Sequence, residues 1–285
     1  MTSCIDSQFL NVSPSGDYLN KSNGIVFTIS APGKIILHGE HSVVHGKLAL
    51  AASLGLRTSL TLRENESCDD INAIQLHFPD INLHYSFNFK EIQNLLSKPL
   101  PSLSGTEFFN LEHPDQIDHE LHQQNVEGFL LETGPYQDLT KVQKNALLTF
   151  LYIFIGIYGT LNIDIRPFHL SISSQLTLGA GTGSSASFVV CLTASLIHYA
   201  KLGIKRKSLN ENLSKMKYLP TTLLIESSLV GFSDDELRII SDWSLNGEKI
   251  HHGNPSGVDN FVCTYGSLVA FVKGANQKRN RYCIQ

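Results

Sequence analysis

Gly179-Ala180-Gly181-Thr182-Gly183-Ser184-Ser185-Ala186 is the stretch on which the reading of this chain turns. It follows a strand-like segment over Phe168 to Ser173 and runs straight into the apolar FVVCLTASLIHYA, which reads as a helix. Glycines let a backbone approach an anion closely, and the free N–H groups and positive dipole end of the helix that follows attract its charge. Ser184 and Ser185 add hydroxyls suited to phosphate or Mg²⁺. Spacing excludes two other phosphate motifs. A P-loop needs a lysine directly after its last glycine, where this chain has serines and no lysine before Lys201. A dinucleotide fingerprint needs glycine where Ser184 stands and an acid at a strand end about 20 residues on.

Two flanking segments carry further chemistry. Upstream, Ala31-Pro32-Gly33-Lys34-Ile35-Ile36-Leu37-His38-Gly39-Glu40-His41 sets a lysine, a glutamate and two histidines around tight-turn residues after an apolar strand. Such strand-end loops often hold catalytic groups. Zinc fits poorly here. His38-Gly39-Glu40 matches half of a deaminase signature whose P-C-x-x-C partner is absent, and His41 is followed by Ser42 where a zincin needs glutamate. Downstream, Glu248 to Asn260 (EKIHHGNPSGVDN) is turn-rich and leads into the strand-like FVCTYGSLVAFV. Taken alone it reads as a capped surface turn, while an acid at a strand start facing a phosphate loop could serve as a general base.

Around these segments the pattern mixes hairpins with helices. Gly24 to Leu62 reads as strand, loop, helix and strand, with Arg57, Ser59 and Thr61 alternating against Leu56, Thr58, Leu60 and Leu62. Ile74 to Phe89 reads as a hairpin turning at Pro79-Asp80. Residues 97–136, polar and punctuated by proline and glycine, read as a surface insertion in which His119 and His122 are solvated. Helical periodicity runs from Val142 through Tyr158, and its apolar part, Ala146 to Tyr158, falls short of the roughly 20 residues of a membrane span, so a buried helix is expected. Residues 1–23 lack the apolar core of a secretory signal and are expected to form a disordered tail.

Composition narrows the class. The 285 residues are 42% hydrophobic with a formal net charge of −4, enough for a sizeable core and without the basic footprint of a nucleic-acid or membrane-surface binder. The five cysteines are scattered, which suits a reducing cytosolic setting.

Taken together, the three segments resemble the GHMP family of small-molecule kinases. The wording from Ala31 through Arg57, including Val43-Val44-His45-Gly46 and Ser53-Leu54-Gly55-Leu56-Arg57, and from His252 through Asn260 is most similar to that of members acting on mevalonate. The resemblance spans roughly Gly24 to Lys273. It implies an α+β fold: a ribosomal-protein-S5-like N-terminal domain over 24–273, with the family's ferredoxin-like C-terminal domain largely missing because the chain stops at Gln285 after a polar tail, 274–285. It also implies ATP-dependent phosphorylation of mevalonate to 5-phosphomevalonate, an isoprenoid and sterol precursor.

Roles follow from the same resemblance. Asp259 is the implied catalytic base and Lys34 its cationic neighbour at the reacting phosphate. Gly179, Ala180, Gly181, Thr182, Gly183, Ser184 and Ser185 would cradle ATP, and Ser185 with Glu248 would support Mg²⁺. Glu40, His41 and Ser256 would lie near the acceptor or organise the site. The implied partner is a small molecule, with no nucleic acid and no membrane, and a homodimer is compatible. A truncated, non-catalytic form that binds nucleotide or protein without turnover is the alternative. One departure sits in the loop, where Thr177, Leu178 and Thr182 replace the usual preceding proline and the aliphatic residue between the last two glycines. The Thr182 hydroxyl either weakens loop packing or adds a hydrogen bond.

Overall fold

Alternation builds the sheet. In β3 (Ala49–Glu64), Thr58, Leu60 and Leu62 are buried while Ser59 and Thr61 between them are half-buried, the period-two pattern of a strand with one face on the core. Leu56, placed on that inward row by sequence, is instead 48% exposed. The computed structural model describes residues 10–14, 24–65, 72–103, 110–161, 163, 165–210 and 231–272.

Among these, β1 (Asn11–Pro14), β2 (Val26–His38), β3, β6 (Phe168–Ser174), β4 (Ala73–Phe78) and β5 (Leu83–Asn88) lie side by side in that order. All pairs are antiparallel except β4 with β6. A last strand, β7 (Leu268–Phe271), joins the opening residues of β3, Ala49 to Ala52. β3 therefore pairs with β6 near its end and with β7 at its start. The β4–β5 hairpin turns through Pro79–Ile81, as its proline and aspartate predict.

Helices cover the inner face. They are α1 (Phe89–Leu96), α2 (His119–Thr133), α3 (Lys141–Leu161), α4 (Ser184–Asn210), α5 (Asp234–His252) and α6 (Val258–Tyr265). One cluster joins Phe27, Leu60, Leu76 and Phe168 of the sheet to Phe150 and Phe154 of α3, Leu192 of α4 and Trp243 of α5. The match to the expected buried helix is close, although α3 extends beyond Ala146 to Tyr158. By length and composition α3 and α4 are each apolar enough to cross a membrane, and 78% and 89% of those stretches are buried in this fold. α3 meets Trp243 so closely that a Cβ on Gly156 would lie 2.3 Å from the indole. A buried ion pair, Lys201 Nζ to Glu236 Oε1 at 2.8 Å, joins α4 to the first turn of α5.

Four expectations are corrected. No α-helix follows His41: a single 3₁₀ turn, Val43–His45, leads to β3, because the Ala/Leu-rich residues pair with β2 and β7. Within the expected disordered tail, Asn11–Pro14 pair with Phe27 to Ser30, while residues 1–9 and 15–23 lie outside the described residues. The expected surface insertion contains α2, whose His122 is 2% exposed with Nε2 3.0 Å from the Tyr152 carbonyl, and His119 Nδ1 lies 2.9 Å from the Tyr152 hydroxyl. Packing on α3 outweighs its polar composition. Finally, FVCTY is helical, since Gly257 in the left-handed region starts α6 and Gly266 ends it. The expected tail at 274–285 lies outside the described residues.

Candidate active site

Lys34 sits on β2 itself, just past a register shift between Pro32 and Lys34, rather than on a loop after the strand. Its backbone N–H donates to the Thr182 carbonyl at 2.9 Å, which ties the strand to the glycine-rich loop. Gly33 allows that approach: a Cβ there would lie 2.4 Å from the Leu176 side chain and 2.9 Å from the Thr182 oxygen. Ser187 Oγ donates to the Ala31 carbonyl at 3.0 Å, so the first turn of α4 is fixed to the same strand.

The loop ends where α4 begins, at Ser184, leaving N–H groups of the first turn directed away from the helix. Gly183 has φ +72°, and a Cβ on it would meet Lys34 Cγ at 2.6 Å, so the left-handed backbone and the lysine stem both require glycine. Thr182 settles the choice left open by sequence: its hydroxyl is buried with no hydrogen-bond partner among the described residues.

Asp259 occupies the first turn of α6, where a carboxylate is favoured by the helix dipole. Its Oδ2 lies 3.0 Å from Lys34 Nζ, the lysine side chain being 7% and the aspartate 32% exposed. Near the end of α5, Glu248 is buried, and its Oε2 lies 3.4 Å from the Ser185 hydroxyl. Burial, and then the neighbouring Asp259 charge, push the Glu248 carboxyl up to about 7; the Ser185 bond and Lys34 act against them. Glu248 Oε1 has no hydrogen-bond partner among the described residues. His252, one turn further along α5, brings Nε2 to 3.1 Å from Ser185 Oγ and 3.5 Å from Glu248 Oε2.

Most of these groups, though neither Thr182 nor the buried Glu248, line a cavity of about 550 Å³. Lys34, Asp259, Ser184, Ser185 and the loop glycines at 179, 181 and 183 line it, beside an apolar wall that includes Phe78, Ile172 and Phe188. Asp80, Lys141 and Asn145 contribute polar groups that sequence reading missed. Asp80 was read only as a turn former, yet its Oδ2 also accepts from Ser174 N at 2.6 Å. Lys141 and Asn145 belong to no local motif, so only the packing of α3 could reveal them.

Glu40 and His41 are exposed in the turn after β2 and do not line the cavity. Ser256 is also absent from the lining; its hydroxyl accepts from Val258 N at 3.4 Å, at the entry to α6. Among the described residues no three His, Cys, Asp or Glu side chains gather as a metal cluster.

Comparison with known proteins adds to this geometry. Residues 147–219 match the family described as the GHMP kinases N terminal domain. Mevalonate kinase of Bos taurus is 33% identical over 249 residues, 87% of this chain and 54% of that protein. Mevalonate kinase of Candida albicans is 34% identical over 247 residues, 86% of this chain and 50% of that protein. The chain thus spans about half the length of the curated relatives it matches. In fold it is similar to the crystal structure of the Methanococcus jannaschii mevalonate kinase, with a TM-score of 0.51 and 19% identity across 89% of this chain and 55% of that one.

Proposed function

We propose that this chain transfers the terminal phosphoryl group of ATP to the hydroxyl of mevalonate, the reading supported by its 33% identity over 249 residues to the mevalonate kinase of Bos taurus and by the match of residues 147–219 to the N-terminal domain of the GHMP kinases. The observation that carries the reading is the 3.0 Å Lys34–Asp259 pair facing the glycine-rich start of α4 across one cavity. Phosphoryl transfer asks chiefly for positioning and for positive charge around the moving group. The N–H groups at the start of α4 bind the phosphate chain. Asp259 accepts the acceptor's hydroxyl proton as the oxygen bonds to the terminal phosphorus and the bond to the ADP oxygen breaks. Lys34 orients that carboxylate and offsets the negative charge that gathers on the phosphoryl oxygens.

A divalent cation suits the same corner. Glu248 is 1% exposed with an unpartnered oxygen, and a hydroxyl stands beside it, the hard-oxygen donors that Mg²⁺ takes alongside nucleotide phosphates. Ser185 and Glu248 would hold it. When bound, Mg²⁺ supplies charge neutralisation at the phosphates. The test is ADP release measured with mevalonate beside other hydroxy acids, sugars and homoserine. Mevalonate-dependent release that Asp259→Asn abolishes supports the proposal; release with another acceptor alone, or with none, overturns it.

A further inference from the structure

Three donor atoms stand at the mouth of α4, and two of them were anticipated. Ser185 Oγ, Glu248 Oε2 and His252 Nε2 form a triangle with sides of 3.4, 3.1 and 3.5 Å. A cation bound at 2.0–2.1 Å by neighbouring ligands at right angles holds them about 3 Å apart. The triangle is therefore close in size to one face of a divalent-cation site.

We propose that His252 is the third protein ligand of this site, so that the chain offers a divalent cation an oxygen, oxygen, nitrogen face. This deepens the phosphoryl-transfer reading and rests on its cation. Two independent features support it. Glu248 is buried with Oε1 unpartnered, so its carboxylate is compensated on one oxygen only, short of what a buried charge requires. The His252 side chain, in contrast, is 57% exposed and lines the cavity, so its ring is reachable from solvent and from the nucleotide side. The two residues lie one helical turn apart on α5, which puts them on the same face.

The nitrogen donor has a consequence for selectivity. Mg²⁺ prefers an all-oxygen shell, whereas imidazole suits later first-row metals and is accepted by Mn²⁺. The site should therefore favour Mn²⁺ over Mg²⁺ more strongly than one built from oxygens alone, and His252→Gln should remove that preference.

The probe is Mn²⁺ titrated into the full chain, with free ion read by electron paramagnetic resonance and ligand nitrogen by pulsed electron spin-echo modulation. We expect imidazole nitrogen coupling in the parent, its loss in His252→Gln, and a fall in Mn²⁺ affinity of tenfold or more, within the range that disturbing a metal's surroundings produces. The parent spectrum needs no variant, and His252 is exposed enough for glutamine to leave the fold intact. If nitrogen coupling is absent and His252→Gln binds Mn²⁺ within twofold of the parent, the inference falls. Weakened binding in Ser185→Ala and Glu248→Gln in that same case leaves the phosphoryl-transfer cation standing. Parental affinity in all three variants removes both.

Discussion

At the scale of single residues, the Lys34–Asp259 pair makes separable demands. Asp259→Asn keeps shape and loses charge, so turnover is expected to fall roughly 10²–10⁴-fold, the usual contribution of a general base, with nucleotide affinity nearly unchanged. Single-turnover rates beside equilibrium binding of a fluorescent ATP analogue check this, and turnover within a few-fold of the parent would remove Asp259 from the mechanism. Gly183→Ala acts on the lysine instead. A left-handed backbone disfavours alanine by roughly 1–2 kcal/mol, and the new methyl meets Lys34 Cγ at 2.6 Å. The lysine stem must shift and disturb its pairing with Asp259, so the variant is expected to lose at least tenfold in turnover while its thermal midpoint drops only a few degrees. That Lys34 would meet Asp259 and Ser185 would meet Glu248 was legible in the sequence because each sits inside a compact motif. Glu40, His41 and Ser256 have equally compact motifs, and yet the turn after β2 carries the first two out to solvent.

At the scale of elements, packing decided what composition could not. The β4–β5 hairpin, β6, α3 and the glycine-rich entry to α4 were readable because periodicity and turn chemistry agree there. α2 was not, since its polar letters conceal a face that buries Val126 and docks on α3 through His122 against Tyr152. Nor was the start of β3, whose alanines suit a helix until β2 and β7 supply ladder partners on both edges. The α3–α5 contact gives a direct test. Gly156→Ala would set a methyl 2.3 Å from Trp243 Cζ3 and 2.6 Å from Cη2. Overpacking of this kind costs about 1–3 kcal/mol. Trp243 is the single tryptophan, so urea unfolding followed by its fluorescence should show the midpoint moving down. An unchanged midpoint would mean that the helices are further apart than described.

At the scale of the whole molecule, buried imidazoles make the fold acid-sensitive. Burial lowers His122 to about 4 and His198 to about 3 from an ordinary 6.5. The unfolded chain takes up these protons first. The contribution of these imidazoles is therefore full above about pH 6.5 and declines as pH falls toward the folded values, on the order of 3 kcal/mol for His122 alone, while Glu248, raised to about 7, offsets part of it over the same fall. Urea midpoints at pH 7 and pH 4.5 measured in a Glu248→Gln background should differ accordingly, and His122→Asn should shrink the difference; equal midpoints there would contradict the burial. The long strand β3 has a different consequence, one of timing. Its first residues wait for β7, near the end of the described chain, and α6 carries Asp259 in the stretch just before β7. During synthesis the glycine-rich loop and Lys34 leave the ribosome well ahead of that helix. On the proposed function, a nascent chain halted between α4 and α6 would hold the glycine-rich loop without its acid, so an affinity for nucleotide should emerge from the exit tunnel before any capacity for turnover.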